Sequence, residues 1–403
     1  MNFKSNKGEI NLEYEDLKQL HSDALVIDTL NTKLIRCLPG EGEANINMIN
    51  DFIRGKTNIT NMQEISVQIS DLCDKQWLHG KANPWAWWEK SGVDIIHMGL
   101  GISAGASEYA AYHKLIKDIA RLTLRFDKSD KLVKVTKSDD IIRAKREGKY
   151  GVILGTQNLN FLNGDLNNFD LFYYFGLRIL QLTYNLRNLA GNGCTERKDE
   201  GLSEFGIQAI RKMNDLGILV DLSHCGINTT LEAIEISNSP VAFTHTFCKS
   251  IRDHDRAKTD EQLKVLKEHD GFAGILLVPD FLLNNNGKAS LDDFLDHIDH
   301  TVKILGVERV GIGPDHPFFP SNEIWEIFRE KRKKEIKELG VDSLGWRHGH
   351  YKDEGLLPFV KGYLDWCDFP NITKGLSLRG YSNEQIKGIL GQNFLRIFRE
   401  VVD

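Results

Sequence analysis

Eight short apolar runs recur along the chain, and each ends on polar or ionisable residues. They are Ala24–Leu30, Val93–Gly101, Tyr150–Asn158, Leu177–Asn185, Ile218–His224, Pro240–Thr246, Phe272–Asp280 and Arg309–His316. Short apolar runs bounded by polar punctuation read as buried strands. Segments with helical spacing, or room for a helix, separate most neighbouring pairs. Four helix starts are explicit. Ser203 precedes Phe205, Ala209, Met213 and Leu216 on one face. Thr259 and Gln262 make a capping-box pattern ahead of Leu263 and Leu266. Ser290 precedes Phe294, Ile298, Val302 and Leu305. Ser382 and Gln385 open a stripe of Ile386, Ile389, Phe394 and Ile397. Strands alternating with helices imply a parallel sheet, and eight repeats predict an α/β fold, a (β/α)8 barrel of the TIM type.

The chain, residues 1–403, reads as one such domain with insertions after strands one and eight, at about 35–90 and 317–368. The first insertion holds Trp77, Trp85, Trp87 and Trp88, expected to pack it onto the barrel. The second holds a charged helical stretch, Glu323–Glu338, then Trp346, Arg347, His348 and His350. Insertions of this kind form lids or partner surfaces.

A barrel gathers its C-terminal strand ends at one mouth, so residues distant in sequence face one another there. The tails of the runs therefore carry the candidate chemistry. His224 ends strand five and His245 ends strand six; imidazoles on adjacent strands can share one divalent ion. Asp315 ends strand eight, where a carboxylate can bind metal or take a proton from water. The alternative is three polar residues that cap strand ends. Gln157 and Asn158 end strand three; Tyr184 and Asn185 end strand four. They make a neutral surface rich in hydrogen-bonding groups, suited to a small polar substrate. His97 at the end of strand two, His316, His348 and His350 are further candidate ligands or bases. Cys225 and Cys248 follow the two histidines closely and could complete a soft zinc site, although buried cysteine is commonly an inert small apolar residue.

Composition narrows the partners. Hydrophobic content of 41%, charged content of 27% and a net charge of −6 are ordinary for a globular protein and argue against nucleic acid as the main partner. The first ten residues lack the apolar core of a secretory signal. No apolar stretch reaches the length of a membrane span, and six scattered cysteines without a CxxC pair point to a reducing compartment. The expectation is a cytoplasmic protein without a membrane partner. The aromatic insertions are compatible with a homodimer.

Several motifs carry a family resemblance. Gly201-Leu202-Ser203-Glu204-Phe205-Gly206, Met213–Gly217, Asp221-Leu222-Ser223-His224, Ser239–His245, Asp255–Asp260, Gly311–Asp315 and Gly391–Phe398 follow in order. Together they resemble the renal or membrane dipeptidase family of the amidohydrolase superfamily. The resemblance covers most of the chain beyond residue 145 and, more weakly, the first strand. It implies a metal-dependent hydrolase acting on a dipeptide-like substrate. It assigns His224 and His245 to a metal, Asp315 to water activation and Arg256 to the substrate carboxylate, a task suited to a forked guanidinium. The family's first-strand His-x-Asp is replaced by Leu30 and Thr32, its bridging glutamate by Gln157, and its strand-four substrate histidine by Tyr184. Neither Leu30 nor Thr32 is a credible zinc ligand. The substitutions imply one divalent metal, zinc by preference, in place of two. A small carboxylate-bearing amide is the expected substrate, with Arg256, Tyr184, Asn185, Gln157 and Asn158 around it. A lyase or isomerase on the same barrel, or an inactive ligand-binding homologue, are the alternatives.

Overall fold

Eight parallel strands follow one another around a nearly closed barrel in the computed structural model, which describes residues 14–32, 71, 74–75, 77–81, 85–101, 107–282, 288–315, 322–342, 345–347 and 359–403. Helix α1 (Tyr14–Asp23) leads into β1 (Ile27–Asn31). Helix α2 (Trp85–Ser91) precedes β2 (Ile95–Leu100), and a long helix α3 (Glu108–Lys128) follows it. The repeat continues through β3 (Leu132–Val135), α4 (Ser138–Arg146), β4 (Tyr150–Thr156), α5 (Asn168–Phe175), β5 (Leu177–Gln181), α6 (Glu204–Asp215), β6 (Leu219–Asp221) and α7 (Ile227–Ile236). It closes with β7 (Ala242–Thr246), α8 (Asp260–Glu268), β8 (Phe272–Ile275), α9 (Leu291–Leu305), β9 (Val310–Ile312) and α10 (Asn322–Leu339). Helices α11 (Phe369–Leu378), α12 (Asn383–Lys387) and α13 (Asn393–Val402) complete the chain.

The hydrogen-bonded order is β1-β2-β4-β5-β6-β7-β8-β9. The seam between β1 and β9 is drawn together by the Asp315 N–H, which donates to the Leu30 carbonyl at 3.2 Å. The Thr29 hydroxyl reaches the Thr244 and Ile312 carbonyls at 2.6 and 3.1 Å. One strand was not expected: β3 pairs with the first half of β4, Leu132 with Tyr150 through Val135 with Ile153, while β5 takes over the same edge from Leu154 onward. Four residues with two partly exposed positions give too weak an apolar run to stand out in the sequence.

The helix starts form where the capping patterns placed them. Ser203 accepts from the Gly206 N–H, and Thr259–Gln262, Ser290–Asp293 and Ser382–Gln385 close as reciprocal capping boxes. The stripe beginning at Ile386 is not one helix. A π-turn over Gly388–Gln392 separates α12 from α13, and a Cβ on Gly391 would overlap the Leu25 carbonyl. The offset lets Phe394, Ile397, Phe398 and Val401 cap the N-terminal end of the barrel against Ile27, Ile95, Ile153, Ile179, Leu219 and Phe272. That end is a sealed apolar core, so chemistry is confined to the other.

The tryptophans of the first insertion pack as expected. Trp88 is buried and stacks on Tyr150 at 4.4 Å, with Trp77 and Trp85 beside it and Trp366 edge-on. Most of residues 33–84, including Cys37 and Cys73, lie outside the described residues, as do His316, His348 and His350. Among the described residues no helix is long and apolar enough to cross a membrane.

Candidate active site

The ladders of β4, β5, β6, β8 and β9 end before their apolar runs do, so those polar tails sit in the loops beyond the strands, whereas His245 lies within β7 itself. The β6 loop turns on Asp221. Its Oδ1 accepts the Ser223 N–H and hydroxyl at 2.9 and 2.5 Å and the Thr244 N–H at 3.2 Å, and its Oδ2 accepts the Thr244 hydroxyl at 2.6 Å. This buried carboxylate ties the ends of β6 and β7 together and so sets the two histidines against each other. Their Nε2 atoms lie 2.9 Å apart. His224 Nδ1 meets Asn185 Oδ1 at 2.7 Å, and His245 Nδ1 meets the Thr244 hydroxyl at 2.9 Å. Both rings are buried. Burial, then the Arg256 charge, holds both well below the usual histidine range. Near neutral pH they are uncharged.

Arg256 lies beside this pair, 1% exposed. One guanidinium nitrogen donates to the His245 carbonyl at 2.5 Å; Nε and the other terminal nitrogen are buried with no hydrogen-bond partner among the described residues. Buried guanidinium donors without acceptors are costly unless an anion completes them. Asp315 sits just past β9 at φ +43, partly exposed, and its charge bears on Arg256. The two groups share one mouth.

Loops enclose the site. Tyr184 stacks on the His224 ring at 4.2 Å. Trp346, from the second insertion, approaches His224 at 6.2 Å and packs against His254 and Phe281. Its loop is latched: Asp342 accepts the Trp346 N–H at 2.9 Å and an Arg332 N–H at 2.7 Å, while the Thr195 hydroxyl donates to the Gly345 carbonyl at 2.8 Å. Trp346 and this latch thus lie over the His224 side of the mouth.

The opposite half of the mouth differs. The Leu30 and Gln157 side chains converge on Gly99, where an added Cβ would lie 2.9 Å from both Leu30 Cδ1 and Gln157 Nε2. Gln157 is buried, its carbonyl held at 2.6 Å by the Gln181 amide. Asn158 is buried too; its Oδ1 accepts the Asn160 N–H in the turn after β4.

Several expected roles change on this geometry. Asn185 turns its carbonyl oxygen to His224, and Asn158 caps a turn. His97 lies within β2 rather than at its end, with Nδ1 on the Thr29 carbonyl at 2.8 Å. Cys225 and Cys248 are buried in the layer between barrel and helices, where Cys225 takes the Thr183 hydroxyl and Cys248 lies 3.1 Å from that of Thr301. Both behave as small core residues. Asp221, Cys194 and Trp346 went unassigned in the sequence. Asp221 lies within the Asp-Leu-Ser-His motif, which offered a signal; the other two depend on loop closure.

The donor set admits a cation. Thr244 gives its hydroxyl proton to Asp221, so it accepts from His245 Nδ1; the Asn185 carbonyl oxygen likewise accepts from His224 Nδ1. The two Nε2 lone pairs then oppose each other at 2.9 Å. Nitrogens sharing one zinc, at bonds of about 2.0–2.1 Å, lie within about 4 Å of each other. Opposed lone pairs at this distance call for a positive particle. Among the described residues, no group of three or more His, Cys, Asp or Glu side chains is placed to hold a metal ion. The pair fits one ion whose remaining positions stay open to water or substrate.

The sequence model of the membrane dipeptidases (peptidase family M19) matches residues 14–323 and 337–403. The chain belongs to the membrane dipeptidase family. It is 27% identical to the dipeptidase tcpJ of Claviceps purpurea over 277 residues, which are 68% of this chain and 56% of that protein. It is 29% identical to an uncharacterized dipeptidase of Schizosaccharomyces pombe over 287 residues, 70% and 60% of the two chains. The match thus spans less than two thirds of these relatives. An amidohydrolase from Pseudomonas aeruginosa superposes with a TM-score of 0.71 at 26% identity, covering 96% of this chain and 99% of that one. A metallo peptidase from Rhodobacter sphaeroides, solved with a phosphinate mimic of L-Ala-D-Ala, shares the fold at a TM-score of 0.67 and 17% identity, covering 94% and 100%.

Proposed function

We propose that this membrane dipeptidase family member hydrolyses a small carboxylate-bearing amide, dipeptide-like in form, with one divalent metal, zinc by preference, held by His224 and His245. The observation that carries the reading is Arg256. A buried guanidinium with two incomplete donors, beside two imidazoles with opposed lone pairs, puts an anion anchor next to a cation holder. When bound, the metal polarises the scissile carbonyl and eases deprotonation of water. Arg256 takes the substrate carboxylate. Asp315, in the same mouth, receives the proton of the attacking water and returns it to the leaving amine. Tyr184, Gln157 and Asn158 supply neutral walls, and Asn185 stands behind His224. Trp346 and its latch exclude bulk water, which strengthens each of these interactions. The naming of relatives as dipeptidases and the dipeptide mimic bound to a structural neighbour support the substrate class. The four described cysteines are unpaired, in keeping with a cytoplasmic home.

A panel of dipeptides and N-acyl amino acids, assayed with zinc, manganese or iron added, tests the reading. Hydrolysis that needs a metal and a free substrate carboxylate is expected. A folded protein that takes up no metal, or that releases non-hydrolytic products, overturns it.

A further inference from the structure

Histidines that face each other are unstable in their purpose. An Nε2–H on either ring would make an ordinary N–H···N hydrogen bond across 2.9 Å, and the pair would close on itself with no lone pair left for a cation. What prevents this on the His245 side is plain. The Thr244 hydroxyl donates to Asp221, whose carboxylate already accepts three other N–H or O–H groups, so Thr244 accepts from His245 Nδ1.

On the His224 side Nδ1 meets no carboxylate among the described residues; it meets an amide oxygen, Asn185 Oδ1, at 2.7 Å. The Cys194 thiol approaches the same oxygen at 3.4 Å as a second donor. Two donors aimed at one atom identify it as the acceptor end of the amide. A carbonyl oxygen has no proton to give, so His224 Nδ1 must carry one.

The chain invests unusual backbone geometry in this placement. Asn185 has φ +23, left-handed territory that asparagine tolerates better than most residues. Gly193 crosses directly behind it, where any Cβ would overlap the Asn185 carbonyl group. The Thr195 N–H holds that backbone carbonyl at 2.9 Å, and its one hydroxyl proton is shared between this carbonyl and that of Gly345, each at 2.8 Å.

We propose that Asn185 is a positioning residue that locks His224 in its Nδ1–H tautomer and thereby keeps the His224–His245 pair open to a cation. The inference rests on the metal site proposed above, and it departs from the expectation that Asn185 binds substrate. Without the lock, His224 is free to move its proton to Nε2 and bond to His245. The role belongs to the oxygen acceptor rather than to the bulk of the side chain.

The test uses the full-length protein stripped of metal, with selective 15N labelling of histidine. Long-range 1H–15N correlations report which ring nitrogen of His224 carries the proton, and competition with a chromophoric chelator reports zinc affinity. In the wild type we expect Nδ1–H and tight zinc. Asn185→Leu keeps the bulk and removes the acceptor; it should shift His224 to Nε2–H and weaken zinc by about 10- to 100-fold. Asn185→Asp keeps an acceptor oxygen and should retain both the tautomer and the affinity. Asn185→Leu that keeps Nδ1–H and binds zinc within about twofold of wild type overturns the lock. If Asn185→Leu fails to fold, Asn185→Asp still decides, because an Nε2–H tautomer in that variant also overturns it. A wild type that shows Nδ1–H yet refuses zinc removes the metal reading and leaves the tautomer lock standing, so the two failures are told apart.

Discussion

The two halves of the barrel mouth are built from different chemistry. On the β6–β7 side, Asp221, Ser223 and Thr244 form a dense net that orients His224 and His245, with Arg256 buried alongside. On the β1–β4 side, the Leu30 and Gln157 side chains meet over Gly99, and the buried Asp28 carboxylate is taken up by the Leu30 N–H, Asn31 and Trp366. One half sets two imidazoles and a guanidinium side by side; the other packs an apolar and an amide side chain together. The contrast teaches that one side of a barrel mouth can carry a buried polar net while the other is filled by an apolar and an amide side chain. The net around Asp221 does not draw on the Leu30 or Gln157 side chain, and the Thr29 hydroxyl ties the two halves through the Thr244 carbonyl.

Breaking the β6–β7 side should have the largest effect. His245→Ala removes one of two imidazole donors; metal content should fall to near zero and hydrolysis by at least about a thousandfold, measured by elemental analysis and steady-state kinetics. Arg256→Met leaves the metal pair in place and removes the anchor. KM should rise by about 100-fold with a smaller change in kcat, the pattern of a binding group that acts before the transition state. Asp221→Asn replaces an acceptor-only group with one that also donates, leaving Ser223 or Thr244 opposed by an N–H. A loss of about 2–3 kcal/mol is expected in urea unfolding, together with weaker zinc binding. A volume-conserving change on the other side should do less: Gln157→Met should stay within about 1.5 kcal/mol of wild type in the same unfolding assay.

A further contrast concerns pH and lies outside the mouth. Burial pushes His297 down to about 3 and lowers His21 as well. His297 Nδ1 accepts the Cys248 N–H at 3.0 Å, a bond that needs the neutral ring. The folded values are lower than the unfolded ones, so the unfolded chain binds more protons between them. The stabilisation is complete above about pH 6.5 and is lost as pH falls toward 3. The unfolding temperature should drop steadily below pH 6.5, and His297→Asn, which offers an oxygen acceptor in place of Nδ1, should flatten part of that slope. An unchanged slope would remove His297 as its source.

Much of this architecture was legible in the chain. Apolar runs and capping residues gave the strands of the barrel wall and the four helix starts because both are local signals. The extra strand β3 escaped because it is only four residues long, Lys134 interrupts its apolar run, and its pairing partner is set only by the fold. Within the site, His224 follows β6, His245 lies near the C-terminal end of neighbouring β7 and Arg256 follows β7, which brings the three together. What could not be read was direction. Whether Asn185 faces a substrate or a histidine depends on one left-handed residue and on Gly193 passing behind it. Whether Trp346 lies over the mouth depends on a latch between Asp342, Arg332 and Thr195, residues up to roughly 150 positions apart.

The most direct measurement is zinc stoichiometry on purified, zinc-loaded protein by elemental analysis, repeated on a variant that carries Leu30→His, Thr32→Asp and Gln157→Glu together. The account predicts one zinc per chain in the wild type, none after His245→Ala, and a rise toward two in the triple variant. Two ions in the wild type, or one that survives the loss of His245, would contradict it.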